Sequence, residues 1–180
     1  WDLLDCFVSN TGMIGQMNMD TIGLDDTAEE LRQMIAQGKV LAQKYHVATT
    51  NPPYMSPSNG SVKLNDFVKK NYPDSKADLY SVFMERGKSF TVKNGYQAMI
   101  TMHAWMYLQS FEKMRPKMQS IIIINMAHLG ARAFEDIGGE VVQTTSFVLC
   151  NSVISGYKGV YSRLLNANSQ SEKEKLFLSG

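Results

Sequence analysis

Apolar positions recur along the chain with two different periods. From Asp26-Thr27 onward, Leu31, Met34, Ile35, Gly38, Leu41 and Ala42 fall at helical spacing, and Thr27 with Glu30 has the form of a capping box. This predicts a helix over about residues 27–44. The run His46–Thr50 is short, apolar and β-branched, and it stops at Asn51-Pro52-Pro53-Tyr54. Two prolines lack the N–H that a ladder needs, so the pattern predicts a buried strand ending in a rigid turn. Asn59-Gly60 marks a further turn. Leu64, Phe67, Val68 and Asn71 predict a short helix that ends before Pro73, and helical spacing returns from Lys76 through Leu79, Val82 and Phe83, closed by Arg86-Gly87. Tyr96–Met102 reads as a strand, and Leu108, Phe111 and Met114 as a helix broken near Pro116. Ile121–Ile124 reads as a strand covered on both faces. Val141–Leu149, more polar and placed after Gly138-Gly139, reads as a strand pairing antiparallel at an edge.

Strand–helix alternation implies parallel crossovers, and two closing strands without a long helix between them imply one antiparallel strand late in the sheet. The fold class is therefore α/β with helices on the faces. Trp1-Asp2-Leu3-Leu4 is apolar, Gly12-Met13-Ile14-Gly15 resembles a loop, and Ser169–Lys175 reads as polar surface. A length of 180 residues suits one domain with a real core, and 44% hydrophobic against 19% charged residues excludes disorder. A net charge of +1 excludes a strong uniform basic field, so any contact with nucleic acid is local or supplied elsewhere. Cys6 and Cys150, without a CxxC, exclude a disulfide scaffold and a cysteine zinc cage. No His, Asp and Glu cluster has metal-ligand spacing, and no apolar run approaches the ~20 residues of a membrane helix. The chain opens at Trp1 without a secretory leader and reads as a piece of something longer.

Candidate chemistry concentrates at Asn51-Pro52-Pro53-Tyr54, because ligands in open α/β sheets bind beyond the carboxyl ends of strands. At ordinary residue usage this tetrapeptide arises by chance in roughly one chain of this size in two thousand, so a bland proline turn is the lesser reading. Asn51 offers a side-chain carbonyl and Pro52 a backbone carbonyl held in place by its locked φ. Two neighbouring acceptors can grip both hydrogens of an amino group and draw its lone pair out of conjugation. Tyr54 offers a flat face for a planar base. The set suits transfer of an electrophile to a planar amine. Elsewhere, His103 and His128 near strand ends read as structural histidines. Ser146 and Ser152 lack a nearby His–Asp pattern, and Lys113, Arg115 and Lys117 read as a solvated helix end rather than a phosphate contact. Gly156-Tyr157-Lys158-Gly159 has the GxxG form without the rest of an RNA-clamping fold, and the twelve methionines read as packing.

Asn-Pro-Pro-Tyr after a β-strand resembles the motif of S-adenosylmethionine-dependent N6-adenine DNA methyltransferases. The segments Lys44–Met55, Lys70–Leu79 and Ile124–Phe134, with Gly138–Thr145 and Gly156–Gly159, resemble the large adenine methyltransferases of BREX-type phage-defence systems, the PglX group. The resemblance runs from about Lys39 to the C-terminus. It implies a partial Rossmann-like methyltransferase sheet, one domain over 1–180 as a lead-in (1–45), catalytic strands and helices (46–150) and a tail (151–180). It implies a target adenine flipped out of double-stranded DNA, its N6 held at Asn51 and Pro52 and its ring stacked on Tyr54, with Pro53 completing the catalytic motif. Phe134 matches a second aromatic against the base. Leu79 and Phe83 match positions walling the cofactor's adenine, with Asn51 also at the cofactor. It further implies other defence-system subunits as partners and the prokaryotic cytoplasm as location.

The sequence departs from that pattern in three ways. His46 stands where the family usually has Asp, no Gly-x-Gly precedes a helix, and no acidic residue for the ribose hydroxyls is identifiable. In the family the last two lie upstream of the motif, and the target-recognition region lies downstream of the position of Gly180. Two other readings stay open. Glutamine N5-methyltransferases of release factors use the same tetrapeptide, and an inactive fragment could self-associate through an unprotected sheet edge. The missing cofactor loop leads to an expectation: the isolated chain binds S-adenosylmethionine weakly or not at all. Isothermal titration showing micromolar affinity would overturn it.

Overall fold

The apolar and β-branched runs assemble into one five-stranded mixed sheet in a computed structural model that describes residues 24–134 and 142–180. Trp1–Leu4, Cys6, the Gly12–Gly15 segment, Gly138-Gly139 and Val141 lie outside the described residues. The chain divides into two compact units between Gln43 and Lys44. In the first, helix α1 spans Leu24–Ala42. It starts ahead of the predicted capping box, so Thr27 lies within helical backbone. The second unit holds the sheet, with strands β1 (Tyr45–Thr50), β2 (Thr91–Met102), β3 (Ile122–Gly130), β4 (Thr144–Cys150) and β5 (Val160–Arg163). Their order is β1-β2-β4-β3-β5. β1 runs parallel to β2 and β3 to β5, while β4 runs antiparallel to both its neighbours. Four strands therefore share one direction, as the α/β reading expects.

Two strand expectations need correction. β4 is antiparallel but central, not an edge. Thr144, Thr145, Phe147 and Leu149 are buried, and the Thr145 hydroxyl donates to the Ala127 carbonyl at 3.1 Å. A threonine satisfied as Thr145 is makes a buried strand look polar in sequence. β1 is not buried on both sides. It ends the sheet among the described residues, and Val47 is 57% exposed. A β-branched run reads the same with one hydrogen-bonded neighbour as with two.

Three helices cover one face of the sheet or flank it. Helix α2 (Val62–Asn71) starts where the Ser61 hydroxyl accepts the Leu64 N–H, and helix α3 (Leu79–Phe90) starts at Asp78. Gly87 does not stop α3. A Cβ there would lie 2.6 Å from Gln97 Nε2 and 2.8 Å from Met99 Cε, so this glycine lets the helix approach β2. The predicted helix from Leu108 is instead one 3-10 turn, Gln109–Phe111, followed by helix α4 (Met114–Gln119), with another 3-10 turn, His103–Met106, ahead of it. Pro116 falls in the first turn of α4, where its missing N–H costs no helical bond. Tyr80 and Met84 of α3, Trp105, Phe111, Met114 and Met118 pack on Met99, Met126, Phe147 and Leu149 of the sheet. Met84, Met99, Met114, Met118 and Met126 serve as packing, whereas Met34 is exposed and Met13, Met17 and Met19 lie outside the described residues.

The end of the chain holds two elements with weak sequence signals. The four residues of β5 pair with β3 after the Gly156–Gly159 turn, and helix α5 (Gln170–Leu178) follows, capped by Ser169. Lys173, expected on the surface, is buried, and its ammonium donates to the Leu164 and Ala167 carbonyls at 3.0 and 2.7 Å. No helix among the described residues is long and apolar enough to cross a membrane.

Gly87→Ala forces a methyl group against Gln97 and Met99. The expected outcome is a loss of roughly 1–3 kcal/mol of stability from overpacking, measured by urea denaturation.

Candidate active site

β1, β2, β3 and β5 all point their carboxyl ends the same way, and the tetrapeptide leaves the end of β1. Thr50 pairs with Met99, so Asn51 follows beside the carboxyl end of β2. Asn51 and Pro53 are exposed, Pro52 is buried and Tyr54 is half-buried. The Tyr54 hydroxyl lies 3.1 Å from Asn51 Oδ1 and 3.2 Å from the Ile100 carbonyl. One proton serves two acceptors, so it can satisfy only one at a time. Burial raises the Tyr54 phenol above its ordinary pKa, which keeps it a donor. The ring stands edge-on to Tyr80, with centroids 6.0 Å apart at 87°.

The residue that sequence reasoning missed is Asp78. Its carboxylate accepts the Met55 N–H at 3.0 Å and the Tyr80 N–H at 3.2 Å, while the Leu79 N–H donates to the Met55 carbonyl at 2.9 Å. The turn after Tyr54 is thus tied to the first residues of α3. Burial raises the Asp78 pKa, and the backbone N–H groups of Tyr80 and Met55 oppose that shift. The available signal was an Asp placed just before a predicted helix, an N-cap type. The basic run also needs correction. Lys117 bridges Asp74 at 2.9 Å and Glu85 at 2.8 Å, and the Ser75 hydroxyl donates to Glu85 at 2.8 Å. Arg115 donates to the Leu108 and Trp105 carbonyls at 2.6 and 3.3 Å. Both cations brace loops instead of standing free in solvent, because their long side chains reach across from α4.

Leu79 is buried, and Phe83 is 41% exposed. Both line a groove of about 970 Å³ along α3, with Leu64, Phe67 and Tyr72 opposite. These apolar walls fit a flat heteroaromatic ring. Glu85, also on the groove, is committed to Lys117, so no free carboxylate for a ribose is placed there. Phe134 is half-buried in the bend after β3, and among the described residues the Tyr54 ring meets Tyr80 and makes no ring contact with Phe134. The structure therefore brings Asn51, Pro52, Pro53, Tyr54 and Leu79 into one clamped unit, with Phe83 one turn along α3. It does not join Phe134 to them.

A family model of the Eco57I restriction-modification methylase matches residues 10–133. The chain belongs to that family. The chain is 48% identical over 165 residues to "Adenine-specific methyltransferase PglX" of Lacticaseibacillus casei (strain Zhang), covering 92% of the chain and 14% of the relative. It is 43% identical over 152 residues to "Adenine-specific methyltransferase BrxX" of Escherichia coli O9:H4 (strain HS), covering 84% and 13%. The chain thus spans about one-seventh of the length of these relatives. Among solved structures, the DNA-bound Type ISP restriction-modification enzyme LlaGI (a nuclease-deletion mutant) gives a TM-score of 0.57 at 12% identity, covering 84% of this chain and 17% of that one. The DrdV–DNA complex gives 0.55 at 15%, covering 77% and 16%. A Listeria monocytogenes protein assigned as a class I S-adenosylmethionine-dependent methyltransferase gives 0.50 at 12%, covering 76% and 42%. At these identities the structural likeness shows the fold alone.

The Eco57I-type sheet also joins two histidines 25 residues apart. His103 Nδ1 lies 2.7 Å from His128 Nε2, and the Tyr107 hydroxyl bonds His103 Nε2. Their roles in sequence were read as structural, and no group of three or more metal-ligating residues occurs among the described residues. Burial lowers the His103 pKa, and the neighbouring His128 lowers it further. Burial also lowers that of His128, with Arg163 adding to the effect. Below the ordinary value of 6.5 the unfolded chain therefore binds more protons than the folded one. Stability is expected to fall as pH drops from about 7.5 to about 5. In His128→Gln the dependence should flatten; thermal melts across that range check it.

Proposed function

We propose that this chain is the amine-gripping part of a site-specific DNA methyltransferase that methylates adenine N6. The observation that carries the reading is the Asn51–Tyr54 turn, where Asn51 Oδ1 and the Tyr54 hydroxyl stand 3.1 Å apart at the carboxyl end of β1. Family membership and two relatives named as adenine-specific methyltransferases support it. They give no support to the glutamine alternative.

The Tyr54 hydroxyl can keep the Ile100 carbonyl as its acceptor and release Asn51 Oδ1. That oxygen and the Pro52 carbonyl then accept the two N6 hydrogens. The amino nitrogen loses conjugation with the ring, and its lone pair becomes nucleophilic. Pro53 stiffens the turn, and Tyr54 presents its ring to the extruded base. Phe134 makes no ring contact with Tyr54 among the described residues, and its proposed place is across the extruded base from that ring. S-adenosylmethionine, when bound, supplies the electrophilic methyl group. Leu79 and Phe83 wall its adenine, and Asn51 borders it. The glycine loop and ribose acid belong to the remainder of the whole protein, as does the grip on double-stranded DNA. The biological setting is a restriction-modification type of phage defence in the prokaryotic cytoplasm, alongside other defence subunits. The outer edge of β1, which pairs with no described strand, supports a separate reading in which the isolated chain self-associates.

Asn51→Ala in the whole protein carrying this chain is expected to abolish methyladenine in host DNA, read by modification-sensitive sequencing, with an unchanged melting temperature. Retained methylation would overturn the proposal.

A further inference from the structure

The segment after β2 sets itself apart from an ordinary surface loop. It starts at His103, three residues beyond Ile100, whose carbonyl meets the Tyr54 hydroxyl. It is braced at every stage. The His103 N–H donates to the Gln143 carbonyl at 2.9 Å, and the Leu108 N–H to Ala104 at 3.0 Å. Arg115 holds the Leu108 and Trp105 carbonyls. Trp105 packs edge-on to Phe147 at 5.8 Å, and Phe111 packs at 5.7 Å against Tyr80, the same ring that meets Tyr54. Despite this bracing, its tip is bare. Tyr107 is 55% exposed and Leu108 48%.

Tyr107 is also aimed. Its hydroxyl bonds His103 Nε2, its ring stands edge-on to His103 at 5.0 Å, and His103 is held by His128 at 2.7 Å. Exposure alone does not set it apart, since Phe67, Tyr161 and Phe177 are as exposed; the tether does. Here the polar end is tethered inward, and the exposed ring follows the carboxyl end of β2, as Asn51 follows that of β1. Tyr107 and Tyr54 both contribute to raising the Tyr80 phenol, behind burial and Asp78, which puts the three phenols in one neighbourhood.

We infer that Tyr107, with Leu108 beside it, is a further substrate-contacting residue, stacking on an unstacked nucleobase of the DNA strand delivered to Asn51–Tyr54. His103 and His128 are positioning residues that set the ring's orientation. The ligand chemistry follows from the surface: a rigid, uncharged aromatic and aliphatic tip suits the π-face of a base and offers nothing to a phosphate. The inference rests on the adenine-methylation reading above.

The test uses the whole protein and a duplex of its own methylation site, identified by sequencing, with 2-aminopurine in place of the target adenine for the fluorescence measurement. Tyr107→Ala is expected to raise KM for DNA roughly 10- to 100-fold, the range for losing one base–aromatic stack, with S-adenosylmethionine affinity unchanged. The fluorescence rise that reports base extrusion should shrink. Tyr107→Leu keeps bulk without the π-face and should behave like Ala; it replaces Ala if that variant melts early. Tyr107→Trp should restore KM, and His103→Gln should raise KM for DNA without lowering kcat. Wild-type KM and fluorescence in Tyr107→Ala or Tyr107→Leu would overturn the inference. Asn51→Ala separates the two claims, since it should lose methylation while keeping the fluorescence rise. If Asn51→Ala methylates normally, the adenine reading itself fails, whatever Tyr107 does.

Discussion

Asp78 holds the site together. One carboxylate caps α3 and binds the N–H that follows the tetrapeptide, so the end of β1 and the start of α3 cannot move independently. The Leu79 N–H returns a bond to the Met55 carbonyl, making the tie reciprocal. A cap of this kind contributes ~1 kcal/mol, and its larger effect here is geometric. Asn51 and Tyr54 lie on one side of the tie and Leu79 and Phe83 on the other. Residues proposed for the amine and for the cofactor therefore share a frame.

The neighbouring braces follow the same logic. Lys117 draws Asp74 and Glu85 together and anchors the loop that carries Asp78. Arg115 spends its guanidinium on two backbone carbonyls of the segment after β2. Charges that look available in sequence are thus absorbed in positioning loops. This agrees with a net charge of +1, which gives the chain no strong uniform basic field.

Much of the fold was legible. Residues 46–50, 96–102 and 121–124 read as strands, the first and last through β-branched residues, and α2 and α3 showed themselves through helical spacing. The lapses have particular causes. Thr144 and Thr145 made a central strand look like an edge, since a threonine carries no mark of burial in sequence, whether its hydroxyl is bonded, as in Thr145, or not, as in Thr144. Gly87 read as a stop because glycine's other use, close helix–sheet contact, depends on what lies opposite. β5 has four residues, and α5 has no strong apolar stripe, so neither gave a periodic signal.

The chain's own order of residues determined the tetrapeptide, its place after an apolar run and the rigidity that two prolines impose. Those are local properties, set by covalent geometry and by neighbours along the chain. The tertiary structure decided which distant groups meet them. Asp78 comes to Met55 across 23 residues, Tyr54 reaches Ile100 across 46, and His103 meets His128 across 25. Such contacts depend on strand order and on which helix crosses which strand. No periodicity encodes that, because pairing is chosen by the packing of the whole sheet.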